Sequence, residues 1–339
     1  MATARGREVS LVCLALPLFL AVTSAWAAEH ASAFEQAKRM GRGVNIVGYD
    51  PIWKDFEKAR FKARHFKLIK AAGFQTVRIN LHAFAHMDRS KDHRLDPAWL
   101  STLDWAVKNA LAADLMVILD LHNYNDFAKD PVGLKPRFLA FWRQVAPRFK
   151  DAPDRVLFEV LNEPNGKLTP ALWNEYLHEA LAIIRETNPA RNVVVGPPFW
   201  NGIDHLDDLR LPDEDRNIVA TVHYYQPMTF THQGAPWNRE TAQLSGVKWG
   251  TDEEQRRVEE DFGRVQQWSK ARDRPILLGE FGAYDKADME SRVKYTAHVA
   301  RTAESLGWAW TYWQFDSDFI VYDIDRDRWV EPILRALVP

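Results

Sequence analysis

The sequence predicts a single closed (β/α)8 TIM barrel. Three observations carry that expectation. Eight short runs are near-continuously apolar, the pattern of strands buried on both faces in a parallel sheet covered by helices. Segments of helical period alternate with them, as crossovers between parallel strands require. Polar and aromatic residues gather just past the carboxyl ends of these runs, the end at which such a barrel carries its chemistry.

Residues 1–27 stand apart. Arg5 and Arg7 precede the apolar run Leu11 to Val22, and Ala25-Trp26-Ala27 fits a small-x-small cleavage site. These are marks of an export signal cut before Ala28, and the run is shorter than the roughly 20 residues of a bilayer span. The folded domain is therefore read as 28–339, with the barrel proper beginning near residue 35, and the product as secreted or periplasmic.

After a short polar lead, Arg42 to Val47 reads as the first strand. Phe61, Leu68, Ile69 and Ala72 form a helical stripe that Gly73 stops. Gln75 to Asn80 is strand two, and Pro97 opens a helix through Trp99, Leu103 and Val107. Leu115 to Leu121 is strand three, and a helix around Pro136–Phe149 leads into strand four, Arg155 to Glu159. A helix over Pro170–Thr187 precedes strand five, Asn192 to Gly196, and Asn217 to Val222 is strand six. The charged helix Thr251–Ala271, strand seven (Pro275 to Gly279), the helix Lys286–Ser305 and strand eight (Trp308 to Trp313) complete the barrel, and residues 329–337 give a closing helix. The longest irregular stretches, Tyr225–Gly250 and Gln314–Asp327, both follow strands at the polar end, where long loops carry function.

Composition excludes several classes. The lone cysteine, Cys13, falls in the signal, so the remaining chain forms no disulfide and no thiolate metal site. Net charge is −2, and −3 once Arg5, Arg7 and Glu8 leave with the signal, so no basic field attracts nucleic acid.

The strand ends supply Arg78; His122 with Asn123; Asn162 with Glu163; His223 with Tyr225; Glu280; and Trp313 with Gln314. Two glutamates, Glu163 and Glu280, stand at the same end of two buried strands. Glycosidic bond cleavage needs such a pair, one carboxyl as proton donor and one as nucleophile or base. Six strand ends bearing such groups together are hard to explain as packing.

The ordered set Arg78, His122, Asn162-Glu163-Pro164, His223-x-Tyr225, Glu280-Phe281-Gly282 and Trp313 resembles the family-five glycoside hydrolases, the cellulase family of retaining barrel enzymes. The similarity runs from Gly43 to the C-terminus. It is closer still to single-domain bacterial β-1,4-endoglucanases, some of which also cut mannan, through Phe230-Thr231-His232-Gln233-Gly234-Ala235-x-Trp237 and Glu280-Phe281-Gly282-Ala283-Tyr284. The resemblance implies Glu163 as acid/base and Glu280 as nucleophile, with Arg78 and Tyr225 keeping Glu280 charged. A neighbouring carboxylate and the lack of its own cation are expected to raise Glu163. It also implies that His223 contacts Glu163, that Asn162 and His122 hold one sugar, and that Trp313 is that sugar's floor. Asn123 stands where some mannan-cutting relatives have a second His. The implied activity is endo-β-1,4-glucanase by double displacement. A β-mannanase or glucomannanase, a mixed-linkage β-glucanase and a non-catalytic carbohydrate-binding barrel are the alternatives.

The expected partner is a β-glucan polysaccharide or oligosaccharide, bound by a monomer with no nucleic acid, membrane, cofactor or metal. Trp53, Phe127, Trp200 and Trp249 are candidate sugar platforms read more readily as packing, whereas Trp237 belongs to the matching loop motif. His82, His86 and His93 lack a carboxylate motif to complete a zinc site. Asp323-x-Asp325-x-Asp327 opens like a calcium loop, but Arg328 and Leu334 replace the required Gly and Glu.

Overall fold

Eight parallel strands close on themselves in sequence order, β1 (Arg42–Ile46), β2 (Thr76–Leu81), β3 (Met116–Leu121), β4 (Val156–Glu159), β5 (Val193–Val195), β6 (Ile218–Tyr224), β7 (Ile276–Phe281) and β8 (Ala309–Tyr312), with β8 pairing back to β1. The structure, a computed structural model, describes residues 1–2 and 31–339. The signal segment, with Cys13, lies outside the described residues apart from Met1 and Ala2.

Alternation within each strand divides the core in two. On β2 and β3, Val77, Ile79, Leu81, Val117, Leu119 and Leu121 turn outward and join the large core beneath the helices. The intervening residues point into the barrel. At its floor, Met116, Ile118, Leu157, Val194, Val219, Leu277 and Ala309 form a separate cluster with Ala33, Ala37 and Met40. Those last three belong to a helix over Ala33–Met40, where the sequence reads only a polar lead. A capping box between Ser32 and Glu35 starts that helix, and its apolar stripe plugs the barrel's lower end. Gln36 donates to the Asp154 carbonyl at 2.7 Å, and Thr76 to the Met40 carbonyl at 2.6 Å, which pins the plug in place.

The outer helices begin where capping chemistry places them. Asp96 precedes Pro97 and Thr169 precedes Pro170, each side chain accepting from a first-turn N–H. The helix before β4 runs Pro131–Arg148, starting at Pro131 rather than near Pro136, because Asp130 caps it by accepting from Gly133 N. Past β8, a two-stranded ribbon (Tyr322–Asp323 with Arg328–Trp329) and the helix Glu331–Leu337 close the fold. Among the described residues, no helix is long and apolar enough to cross a membrane.

Candidate active site

The two glutamates reach the barrel mouth by different routes. β4 pairs only as far as Glu159, so Glu163 sits four residues beyond the strand. Its backbone is left-handed, with φ of 43°, a conformation unusual for a residue with a side chain. Asn165 Nδ2 holds that backbone by donating to the Glu163 carbonyl at 2.7 Å. Glu280 lies within β7, where the register against β6 slips: Val222 faces Leu278 but His223 faces Glu280. Gly279 is the extra residue, and a Cβ there would fall 2.5 Å from Thr221 Oγ1. The slip brings Glu280 inward, and one carboxyl oxygen each of Glu163 and Glu280, with a ring nitrogen of His223, lie within 4.8 Å of one another.

Beneath them lies a charged lattice built on Arg78, which is wholly buried. Its guanidinium donates to Glu159 through Nε (2.6 Å) and Nη2 (2.8 Å), to Glu280 Oε1 through Nη1 (2.7 Å), and to Asn162 Oδ1 through Nη2 (2.7 Å). Asn45 Oδ1 accepts from Nη1 at 2.8 Å, and Asp120 Oδ2 lies 3.2 Å from Nη2. Asp120 Oδ2 is also 2.6 Å from His122 Nδ1, and accepts from Asn80 at 3.0 Å. Sequence reasoning missed Glu159, Asp120, Asn45 and Asn80. Their signal is a polar residue on the inward register of an otherwise apolar strand.

Glu280 also accepts from the Tyr225 hydroxyl at 2.9 Å. His223 Nδ1 lies 2.8 Å from Glu163 Oε1 and 3.5 Å from Glu280 Oε2. Burial pushes the Glu163 carboxyl up to about 8, Arg78 opposing and Asp120 and Glu159 reinforcing. Burial also lifts Glu280, to about 7, against His223 and Arg78. Arg78 therefore restrains Glu280 without overcoming desolvation, and burial rather than a neighbouring carboxylate is the main lift on Glu163. One carboxyl retains its proton more readily than the other, as acid and nucleophile require.

Trp313 and His122 stack at 5.4 Å with planes 7° apart, and Trp313 packs with Ala235, Tyr284 and Phe319. The Trp313–Gln314 peptide is cis. Trp237 is 53% exposed and meets Tyr284 edge-on at 4.9 Å; Trp200 is 52% exposed. Trp53, Phe127 and Trp249 are buried and serve packing. Asn123 is tied to its neighbours: its Oδ1 accepts from Phe84 N at 3.1 Å, and its Nδ2 donates to Asp126 at 3.2 Å.

Among the described residues, only Glu163, His223 and Glu280 gather ligand atoms closely enough for a metal ion. The Arg78 cation 2.7 Å from Glu280 already supplies positive charge there and disfavours a second. His82 meets Tyr49 and His122, and His86 stacks on Trp99. Asp323, Asp325 and Asp327 pair with Arg326, Arg60 and Arg64 respectively rather than converging on a centre.

Comparison with known proteins matches this geometry to a family. The profile of the cellulases, glycosyl hydrolase family 5, covers residues 38–318. Endoglucanase H of Acetivibrio thermocellus is 31% identical over 315 residues, which span 90% of this chain but 33% of that protein. The chain thus spans about a third of that relative's length, and 59% of Endoglucanase B of Clostridium cellulovorans, which is 26% identical over 72% of this chain. Crystal structures of Thermotoga maritima Cel5A, one with mannotriose, superpose with a TM-score of 0.86 at 40% identity, covering 90% of this chain and all of that one. A barrel that sets Glu163 and Glu280 at its mouth, the latter held by a buried Arg78, and whose match to one profile spans most of its length, belongs to the cellulase family, glycosyl hydrolase family 5.

Proposed function

We propose that the chain is an exported endo-β-1,4-glucanase that cleaves internal β-1,4-glucosidic bonds with retention of configuration. The observation that carries this reading is that one carboxyl oxygen of Glu163 and one of Glu280 lie within 4.8 Å, a close approach in keeping with the carboxyl separation of about 5–5.5 Å in retaining pairs. Relatives at 31% and 26% identity carry the name endoglucanase.

In this reading Glu280, charged and held by Arg78 and Tyr225, attacks the anomeric carbon. Glu163 gives its proton to the departing glycosidic oxygen. Water then enters where the leaving sugar stood, Glu163 takes a proton from it, and the glycosyl–Glu280 ester is broken. Asn162, fixed through Oδ1 by Arg78, presents its Nδ2 to the 2-hydroxyl of the sugar under attack, and Trp313 lies beneath that sugar's C–H face. The export signal over residues 1–27 and a monomer acting without a cofactor complete the proposal.

A second reading, activity on mannan or glucomannan, is favoured by the 40% identical Cel5A structure solved with mannotriose. A structure of the same protein was solved with cellobiose. Carboxymethylcellulose, lichenan, glucomannan, xylan and laminarin, with product sizes followed in time, separate the readings. The glucanase reading expects fastest cleavage of carboxymethylcellulose and lichenan, with viscosity falling well before reducing ends accumulate. Preference for mannan moves the assignment to the second reading. Cellobiose alone from the first minutes overturns the endo mode.

A further inference from the structure

We propose that Asn201 is a positioning residue that, through His223, governs the proton on Glu163. The proposal rests on the reading of Glu163 as acid/base. Asn201 follows β5 and is completely buried. It ends a run of three successive non-glycine residues in left-handed backbone, Phe199 (φ 56°), Trp200 (φ 59°) and Asn201 (φ 53°). Such backbone is costly at a single residue and persists only where the surroundings impose it. Trp200 N donates to the Pro164 carbonyl at 3.2 Å, tying this run to the segment that carries Glu163. Gly196 leaves the space for the Asn201 amide, since a Cβ there would fall 2.1 Å from Asn201 Oδ1.

All this delivers Asn201 Nδ2 to 3.2 Å from His223 Nε2. An amide nitrogen can only donate, so Nε2 accepts and the ring proton sits on Nδ1. Nδ1 is the atom 2.8 Å from Glu163 Oε1 and 3.5 Å from Glu280 Oε2. Asn201 thus fixes a neutral His223 with its single N–H aimed between the two carboxyls. The charged groups acting on His223 are Glu159 and Glu163 on and after β4, Glu280 on β7, Arg78 on β2 and Asp120 on β3. Asn201 is the uncharged member that blocks the far ring nitrogen. Without it, Nε2 is free to take a proton, and an imidazolium beside Glu163 favours the carboxylate over the acid.

Asn201→Asp keeps the shape and replaces the donor with an acceptor that stabilises the imidazolium. The basic limb of its kcat/KM profile should move to lower pH by about 1 unit or more, the effect of a new opposite charge near a carboxyl. Asn201→Ala, with folding checked by circular dichroism, should lose about tenfold or more on unactivated oligosaccharides, within the range of general-acid catalysis, and little on activated aryl glycosides. Wild-type pH limbs in Asn201→Asp, or equal losses on both substrates in Asn201→Ala, overturn the proposal and leave Asn201 a packing residue. Glu163→Gln is assayed alongside. If it slows both substrates equally, the acid/base reading fails, which is a different result from failure at Asn201.

Discussion

Arg78 and Glu159 meet edge to edge inside the barrel, Nε to Oε2 at 2.6 Å and Nη2 to Oε1 at 2.8 Å, with both side chains shut off from solvent. This two-point contact sets the plane of the guanidinium, so that Nη1 meets Glu280 and Nη2 meets Asn162. A buried pair of this kind is weak evidence for added stability, because desolvation offsets the attraction. Its physical effect here is orientation.

The first prediction follows from that pair. Glu159→Ala leaves Arg78 buried without its two-point partner, and breaking a buried pair on one side costs about 3–5 kcal/mol. Glu159→Gln keeps one acceptor and should cost less. Urea denaturation should report both losses in that order. kcat/KM should fall in both variants, because the guanidinium no longer holds one plane beneath Glu280. Wild-type stability in Glu159→Ala would mean that Asp120 and Glu280 alone suffice for Arg78.

The second prediction concerns pH. In the proposed mechanism the productive state has Glu280 charged and Glu163 protonated. Burial holds Glu280 at about 7 and Glu163 at about 8. kcat/KM should therefore rise as Glu280 loses its proton and fall as Glu163 loses its own, giving a bell centred near neutrality. The two limbs belong to the coupled pair rather than to either residue alone. Tyr225→Phe removes a donor to the charged form of Glu280, so the acidic limb should move to higher pH, and by more than the basic limb moves. An acidic limb that does not move would remove Tyr225 from the control of Glu280.

Much of this was legible in the sequence, for physical reasons that also explain the gaps. Strands buried on both faces announce themselves as apolar runs, so β3 and β7 were found within a residue or two. The same reading absorbs Asp120 into β3 and Glu159 into β4, because an inward-facing charge near the top of a barrel breaks an apolar run at only one position. The helix Ala33–Met40 was overlooked because its apolar stripe is narrow, Ala33, Ala37 and Met40, and its partner is the barrel floor, which no local pattern reveals. Asn201 left no signal, since the left-handed backbone at Phe199 and Trp200 that leads to it contradicts what those residue types prefer. Asn123 adjoins His122 in sequence, yet its amide serves Phe84 and Asp126 in the loop beside the mouth.

A third prediction separates the two exposed or mouth-facing indoles. Trp237 is half exposed and touches Tyr284, at a distance from the lattice around Arg78. Trp313 is stacked on His122, whose ring reaches Asp120. Trp237→Ala should raise KM several-fold with kcat nearly unchanged, the signature of uniform binding. Trp313→Ala should lower kcat as well, because it removes the floor proposed for the reacting sugar and frees the His122 ring. Equal effects on kcat in the two variants would place both indoles in the same role.

The last prediction is the stereochemical outcome. Attack by Glu280 on the anomeric carbon inverts that centre once, and hydrolysis of the ester inverts it again, so a β-linked glucan should release a β-anomer first. The alternative, direct attack by water, needs carboxyl groups about 6.5–9.5 Å apart, and here one oxygen of each carboxyl lies within 4.8 Å of the other. Proton NMR of the first product reads the anomer before mutarotation, and an initial α-anomer would rule out the double displacement. Variants extend the test. Glu280→Ala should abolish turnover, since the Arg78–Tyr225 pocket then holds no nucleophile. Azide or formate entering that cavity should restore part of the rate on an activated aryl glycoside, and the rescued product should be inverted, because one displacement replaces two. Glu163→Ala should slow substrates with poor leaving groups far more than activated aryl glycosides, which need no proton to depart. If azide rescues Glu163→Ala with a β-configured product and Glu280→Ala with an α-configured one, the division of roles between the two carboxyls holds on both sides of the bond.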